Sequence, residues 1–189
     1  MKKIIFLSIG IALFSAISAQ TLKTENWPNG NKRSEGKLLG EANITGTDSK
    51  ADRERKLNNT TKDGKWTYWF EDGKIQMEEN YDKGVMTGVW KSWYENGQLE
   101  SEINFNAKKS VTYFQNGAKN SEGDMLSGMI HSGNWIGYYE NGKKNYEGSY
   151  SNDGKKEGVW KWWDDKGNPT YEQTYKDGNL VDNKDLFNK

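Results

Sequence analysis

Cysteine is absent from the chain, histidine occurs once and proline twice. The first absence removes disulfides, thiolate metal sites and cysteine nucleophiles together, so packing and hydrogen-bonded ladders must hold the fold. With His131 alone, no histidine-based zinc cage can be assembled. A Ser-His-acid triad is arithmetically open through Ser127 or Ser132, but both stand beside His131 in a return loop without a nucleophile-elbow pattern. The glycines recur at turns and none opens a helix, so no loop is shaped to cradle phosphate. No catalytic residue, metal ligand or cofactor is assigned. A charge excess of either sign is missing too, with 27 basic and 27 acidic residues, which gives no electrostatic case for nucleic acid or an anionic membrane. Aliphatic side chains are scarce, so burial falls to 9 Trp, 10 Tyr and 6 Phe. Each such ring buries roughly 150–250 Å², which suits a thin, elongated sheet better than a thick core.

The one long apolar run lies at the start. Lys2 and Lys3 precede an almost wholly apolar stretch from Ile4 to Phe14, and small residues from Ser15 to Ala19 follow, the layout of a cleaved secretory signal. The run is shorter than the roughly 20 residues a spanning helix needs. Cleavage is expected near Ala19, with export to the periplasm, the cell surface or the medium. Loss of Lys2 and Lys3 leaves 25 basic against 27 acidic residues.

What the chain has in abundance is a repeated frame. Trp90-Lys91-Ser92-Trp93-Tyr94-Glu95-Asn96-Gly97 returns at 66–73, 135–142 and 160–167, and in worn form at Tyr113-Phe114-Gln115-Asn116-Gly117. Its turn glycines are Gly73, Gly97, Gly117, Gly142 and Gly167, with Gly30 as an outlying first member. Asn-Gly and Asp-Gly between alternating apolar residues predict β-hairpins with type I′ turns. Return loops are expected at Lys83-Gly84, Gly128, Asp153-Gly154 and Asp177-Gly178. The division that follows is signal 1–19, degenerate first repeat 20–40, polar insertion 41–63, tandem hairpins 64–178 and tail 179–189. Fold class is all-β: an elongated antiparallel sheet of tandem hairpins, the pattern of a repeat scaffold rather than an enzyme.

Counting from each turn glycine exposes columns. Five residues on stands Glu35, Glu78, Glu102, Glu122, Glu147 or Glu172; eight on stands Leu38, Tyr81, Phe105, Met125, Tyr150 or Tyr175. A two-residue turn places Phe70 opposite Ile75, Tyr68 opposite Met77, Lys91 opposite Glu102 and Lys161 opposite Glu172, whereas a three-residue loop with a bulge would shift this parity. One face then buries Trp66, Trp90, Trp135 and Trp160 with the even offsets, Ile75 and Leu99 among them. The other face holds the glutamates as a structural ladder, equivalent carboxylates lying roughly 10 Å apart and too far to share an ion. On that polar face one column stays aromatic: Trp69, Trp93, Tyr113, Tyr138 and Trp163. Regularly spaced rings of this kind can bind sugars, quaternary amines or an extended partner's side chains, or can stiffen the sheet. They are the candidate partner-binding residues.

The frame Gly-x-Trp-x-x-Trp/Tyr-Tyr/Phe-x-Asn-Gly-x(4)-Glu-x-x-Tyr-x-x-Gly, as in Gly88 to Glu102, resembles the MORN-repeat variant family across 64–178 and more faintly across 27–40. The resemblance implies a row of antiparallel hairpins in a twisted sheet without enzymatic activity. It also implies a protein partner, since bacterial members are often labelled antitoxin-like. For an exported chain the toxin would have to act in the envelope or outside. Met86-Thr87-Gly88-Val89-Trp90 is similar to choline-binding cell-wall repeats, which leaves envelope glycan or choline as an alternative ligand. The expected function is a non-catalytic scaffold for another protein, with no nucleic acid and no membrane association.

Overall fold

The computed structural model describes residues 20–40, 49, 61–126 and 129–187. The expected signal segment 1–19, most of the insertion 41–63 and Gly128 lie outside them. The described chain is all strand and turn. In order, the strands are β1 Gln20–Asn26, β2 Lys32–Leu39, β3 Thr61–Trp69, β4 Ile75–Asp82, β5 Val85–Met86, β6 Val89–Trp93 and β7 Leu99–Asn104. There follow β8 Lys109–Tyr113, β9 Lys119–Leu126, β10 Ile130–Tyr138, β11 Lys144–Tyr150, β12 Lys156–Trp163, β13 Pro169–Lys176 and β14 Asn179–Asp185. They form one open antiparallel sheet in which each strand pairs with its neighbour in sequence, β5 alone standing off the path against β4. β1 arises within the segment read as a degenerate first repeat and β14 from the segment read as a tail.

The hairpin turns are not type I′. Gly73 N–H donates to Phe70 C=O at 3.0 Å while Phe70 N–H donates to Lys74 C=O at 2.9 Å, and the same pair of bonds recurs at Gly97, Gly117, Gly142 and Gly167. Only the glycine carries positive φ, 88° at Gly73 and 86° at Gly97. This is a three-residue loop, a type I turn closed by a glycine bulge. Two positive φ values in succession occur instead in the return loops, at Lys83-Gly84 and Asp177-Gly178. The bulge changes the expected pairing at one step only: Trp69, not Phe70, faces Ile75, the register slips, and from Tyr68–Met77 outward the ladder is as expected. Lys91–Glu102 and Lys161–Glu172 are register partners. The slip also moves the residue two after each glycine to the glutamate face, so Ile75 and Leu99 leave the buried side. Ile75 is 40% exposed.

Asparagine precedes glycine for a reason the sequence reading missed. Asn141 Oδ1 accepts from Lys143 N–H at 3.0 Å, closing its own turn, while Nδ2 donates to Asp165 C=O of the next turn at 2.8 Å. Asn29 and Asn96 bridge to Glu71 and Gln115 in the same way. Asn141→Asp keeps the first bond and loses the second, so it is expected to cost about 1 kcal/mol in chemical denaturation followed by tryptophan fluorescence.

The core is a seam of indoles. Trp66, Trp90, Trp135 and Trp160 are 5%, 6%, 2% and 1% exposed. Each indole N–H donates to a carbonyl of the preceding hairpin, on Lys37, Asn80, Asp124 and Ser149 respectively. Three of the rings lie flat on a glycine of that hairpin. A Cβ at Gly36, Gly123 or Gly148 would come within 2.2–2.4 Å of Trp66, Trp135 or Trp160. Two seams depart from this: Glu79 stands where a glycine would precede Trp90, and in the worn repeat Ser110 takes the tryptophan's place behind Ile103. Buried Glu79 is held by Lys62 at 2.8 Å and by the hydroxyls of Tyr68 and Tyr81 at 2.9 and 3.0 Å. Both desolvation and that carboxylate push the Tyr68 phenol well above its ordinary range. Further rings extend the seam, Tyr146 stacking on Trp160 at 5.7 Å and His131 on Trp135 at 3.8 Å. Burial there lowers the His131 imidazole from its usual value. Lys156 lies over Trp160, Trp162 and Tyr175 at 4.4, 4.9 and 4.8 Å, and desolvation lowers its ammonium.

Candidate interaction surface

The second face of the sheet carries the glutamates, and most are neutralised by a lysine of the same sheet. Glu35, Glu122 and Glu147 each take the lysine three residues earlier, Lys32, Lys119 and Lys144, at 2.7, 2.9 and 2.6 Å. Glu78 and Glu102 take the cross-strand Lys65 and Lys91 at 2.6 and 2.9 Å. Glu172 reaches Lys184 at 4.0 Å. Partly exposed pairs of this kind contribute roughly 0–1 kcal/mol each. They leave the face polar yet almost without uncompensated charge.

Trp69, Trp93, Tyr113, Tyr138 and Trp163 are all half-buried. They share the glutamate face, because the lysines that pair with its carboxylates also cover its rings. Lys32 lies over Trp69 at 5.6 Å, Lys119 over Tyr138 at 5.8 Å and Lys144 over Trp163 at 4.9 Å. Tyr138 hydroxyl in addition donates to Glu122 at 2.7 Å, and burial with that carboxylate pushes the phenol up to about 12. The column is therefore not uniform. At the repeat-equivalent places beside Trp93 and Tyr113 the lysine is replaced by Ile75 and Leu99, so the middle of the ladder is apolar while its two ends are charge-capped.

Alongside the ladder the face is indented. Two shallow depressions of about 430 and 370 Å³ share Asn134 and Ile136 and so run together from β8 to β12. Their floor includes Val111, Ile136 and Val159, with Glu122 and Glu147 also lining them. Among the described residues no three His, Asp or Glu side chains gather as a metal ion would require, and Ser132 is buried at 6% exposure. The structure thus defines a tandem hairpin repeat protein with one aromatic-sealed face and one mixed polar and aromatic face.

The repeat itself is recognised: the MORN repeat variant model matches the chain over 62–83, 86–107, 132–152 and 156–177. The worn hairpin between the second and third matches is the one in which Ser110 replaces tryptophan. No curated protein matches the chain.

Proposed function

We propose that the chain is an exported, non-catalytic scaffold that binds another protein across its glutamate face, in the manner expected of an antitoxin-like or immunity-like partner in the envelope. The observation that carries this reading is the apolar centre of the aromatic ladder, Ile75, Trp93, Leu99 and Tyr113, set in a surface whose charges are paired. Such a patch supplies burial, and the paired lysines and glutamates around it supply a rim that tolerates contact without unpaired charge. The repeat matches support a binding scaffold of this class. A glycan or choline ligand is the second reading, favoured by the way three rings already gather around the Lys156 ammonium, the arrangement that recognises organic cations.

The test compares the mature parent chain with a Trp69→Ala, Trp93→Ala, Trp163→Ala variant shown by circular dichroism to remain folded, each used to capture partners from envelope and secreted extracts. One protein retained by the parent and lost by the variant is the expected result. The same protein captured by both moves the contact to an edge or loop. No captured protein, together with quenching of tryptophan fluorescence by soluble glycan or choline, replaces the reading with the second.

A further inference from the structure

Among the described residues every strand on the path of the sheet is flanked on both sides except β1 and β14, and β14 is exposed along all seven residues. Leu186 N–H donates to Thr170 C=O at 2.8 Å. Counting inward from that bond along the register Glu172–Lys184 and Thr174–Asp182, residues 182 and 184 exchange backbone bonds with β13. The N–H and C=O groups of Asn183 and Asp185 therefore face the open side. Two amides of this edge are held by the strand's own carboxylates. Asn183 N–H donates to Asp182 and Phe187 N–H to Asp185, both at 2.9 Å.

We propose that β14 is a dimerisation edge for a second copy of this chain, the two strands pairing antiparallel about a two-fold axis with Asn183 opposite Asn183. Parity requires outward-facing residues to meet outward-facing ones, and charge then selects the register. Asn183 against Asp185 sets Lys184 against Lys184. Asp185 against itself opposes two carboxylates, and a shift the other way opposes Asp182 to Asp182. Asn183 against Asn183 alone sets Asp182 across from the second copy's Lys184, twice over. The exchange is balanced: each Asn183 N–H leaves the Asp182 carboxylate for a ladder carbonyl, and each carboxylate leaves that amide for an ammonium. Within one chain Asp182 has no ion-pair partner among the described residues, and Lys184 meets only Glu172 at 4.0 Å. At the other edge the β1 charges are already spent on each other, Lys23 pairing with Glu25 at 2.9 Å. Leu180 and Val181, 50% and 59% exposed beside the new seam, lose water as it forms. The register of β14 slips at Val181, which leaves Asp182–Asp185 as the regular part of the edge. Two such edges bury far less than a standard interface, so association is weak and falls further with salt. The aromatic ladder takes no part in it.

Sedimentation equilibrium of the mature chain, from about 10 µM to about 1 mM, tests this. The parent is expected to show a monomer–dimer equilibrium, Lys184→Asp to weaken it at least about tenfold by opposing carboxylates, and Asp182→Lys with Lys184→Asp to recover it. Circular dichroism checks that all three chains are equally folded. A parent that stays monomeric throughout, a Lys184→Asp chain that associates as the parent does, or a double exchange that fails to recover association overturns the proposal.

Discussion

Alanine at Gly148 is expected to destabilise the C-terminal repeats by about 2–3 kcal/mol, a large effect for one added methyl. The Cβ would lie 2.2 Å from Trp160 Cδ2, so the indole or the strand must move. The indole cannot move freely: Trp160 is 1% exposed, donates to Ser149 C=O, and touches Tyr146, Tyr150, Trp162 and Tyr175. Gly148 is the residue that lets β11 pass beneath a ring, and its own backbone conformation needs no glycine. The clash is therefore specific to the ring above it. A double-mutant cycle separates this from a general cost of the change: in a Trp160→Ala background the same Gly148→Ala substitution is expected to be close to neutral. Equal costs in both backgrounds would show that the close contact does not set the glycine.

Trp160→Ala itself is expected to cost about 3–5 kcal/mol, as removal of a fully buried tryptophan does. Trp163→Ala, three residues along the same strand on the opposite face, is expected to cost about 1 kcal/mol, since it is half-buried and its main cationic partner, Lys144, is itself only half-buried. The comparison uses one strand, one residue type and one assay, chemical denaturation by far-ultraviolet circular dichroism, so the difference reports the two faces. Because each hairpin contacts only its neighbours, the loss at Trp160 is expected to release β12 to β14 ahead of the N-terminal hairpins rather than lower one global transition. Similar costs at both positions would mean that the glutamate face is packed as firmly as the indole seam. The ladder rings would then be structural.

Much of this architecture was legible because the chain carries its own comparison set. Copies of one hairpin expose the glutamate column, the buried tryptophans and the aromatic column on the polar face, and all three stand where period-two alternation puts them. The turn type was not legible, since a glycine after asparagine serves a type I′ turn and a glycine bulge alike. The difference lies in φ at the preceding residue. That ambiguity misplaced Ile75 and Leu99, which the bulge carries to the glutamate face and which give the candidate surface its apolar centre. The tryptophan–glycine contact left a signal that went unused. Glycine six after the turn, at 36, 123 and 148, accompanies tryptophan at the start of the next hairpin, whereas Ile103 accompanies Ser110. β14 was missed because Asn-Leu-Val-Asp-Asn-Lys-Asp lacks the aromatic residues that mark its neighbours, its strand form resting on bonds to β13.

Those paired contacts also give the protein an assembly grammar. A hairpin meets the one before it through its first strand and the one after it through its second, so each unit has two keyed ends. The hairpin of β10 and β11 carries Trp135 at one end and Gly148 at the other, and its neighbours offer Gly123 and Trp160. Its two keys match each other, so it can follow another copy of itself. Three further units join unlike keys, Trp90 with Ile103, Ser110 with Gly123 and Trp160 with Gln173, whereas the Glu79 end of the hairpin that begins with Trp66 already meets a tryptophan. The 25-residue tile around Gly142 is therefore one by which a gene for this sheet can lengthen through in-frame duplication. Where the keys differ, the order of the hairpins is fixed by which end fits which.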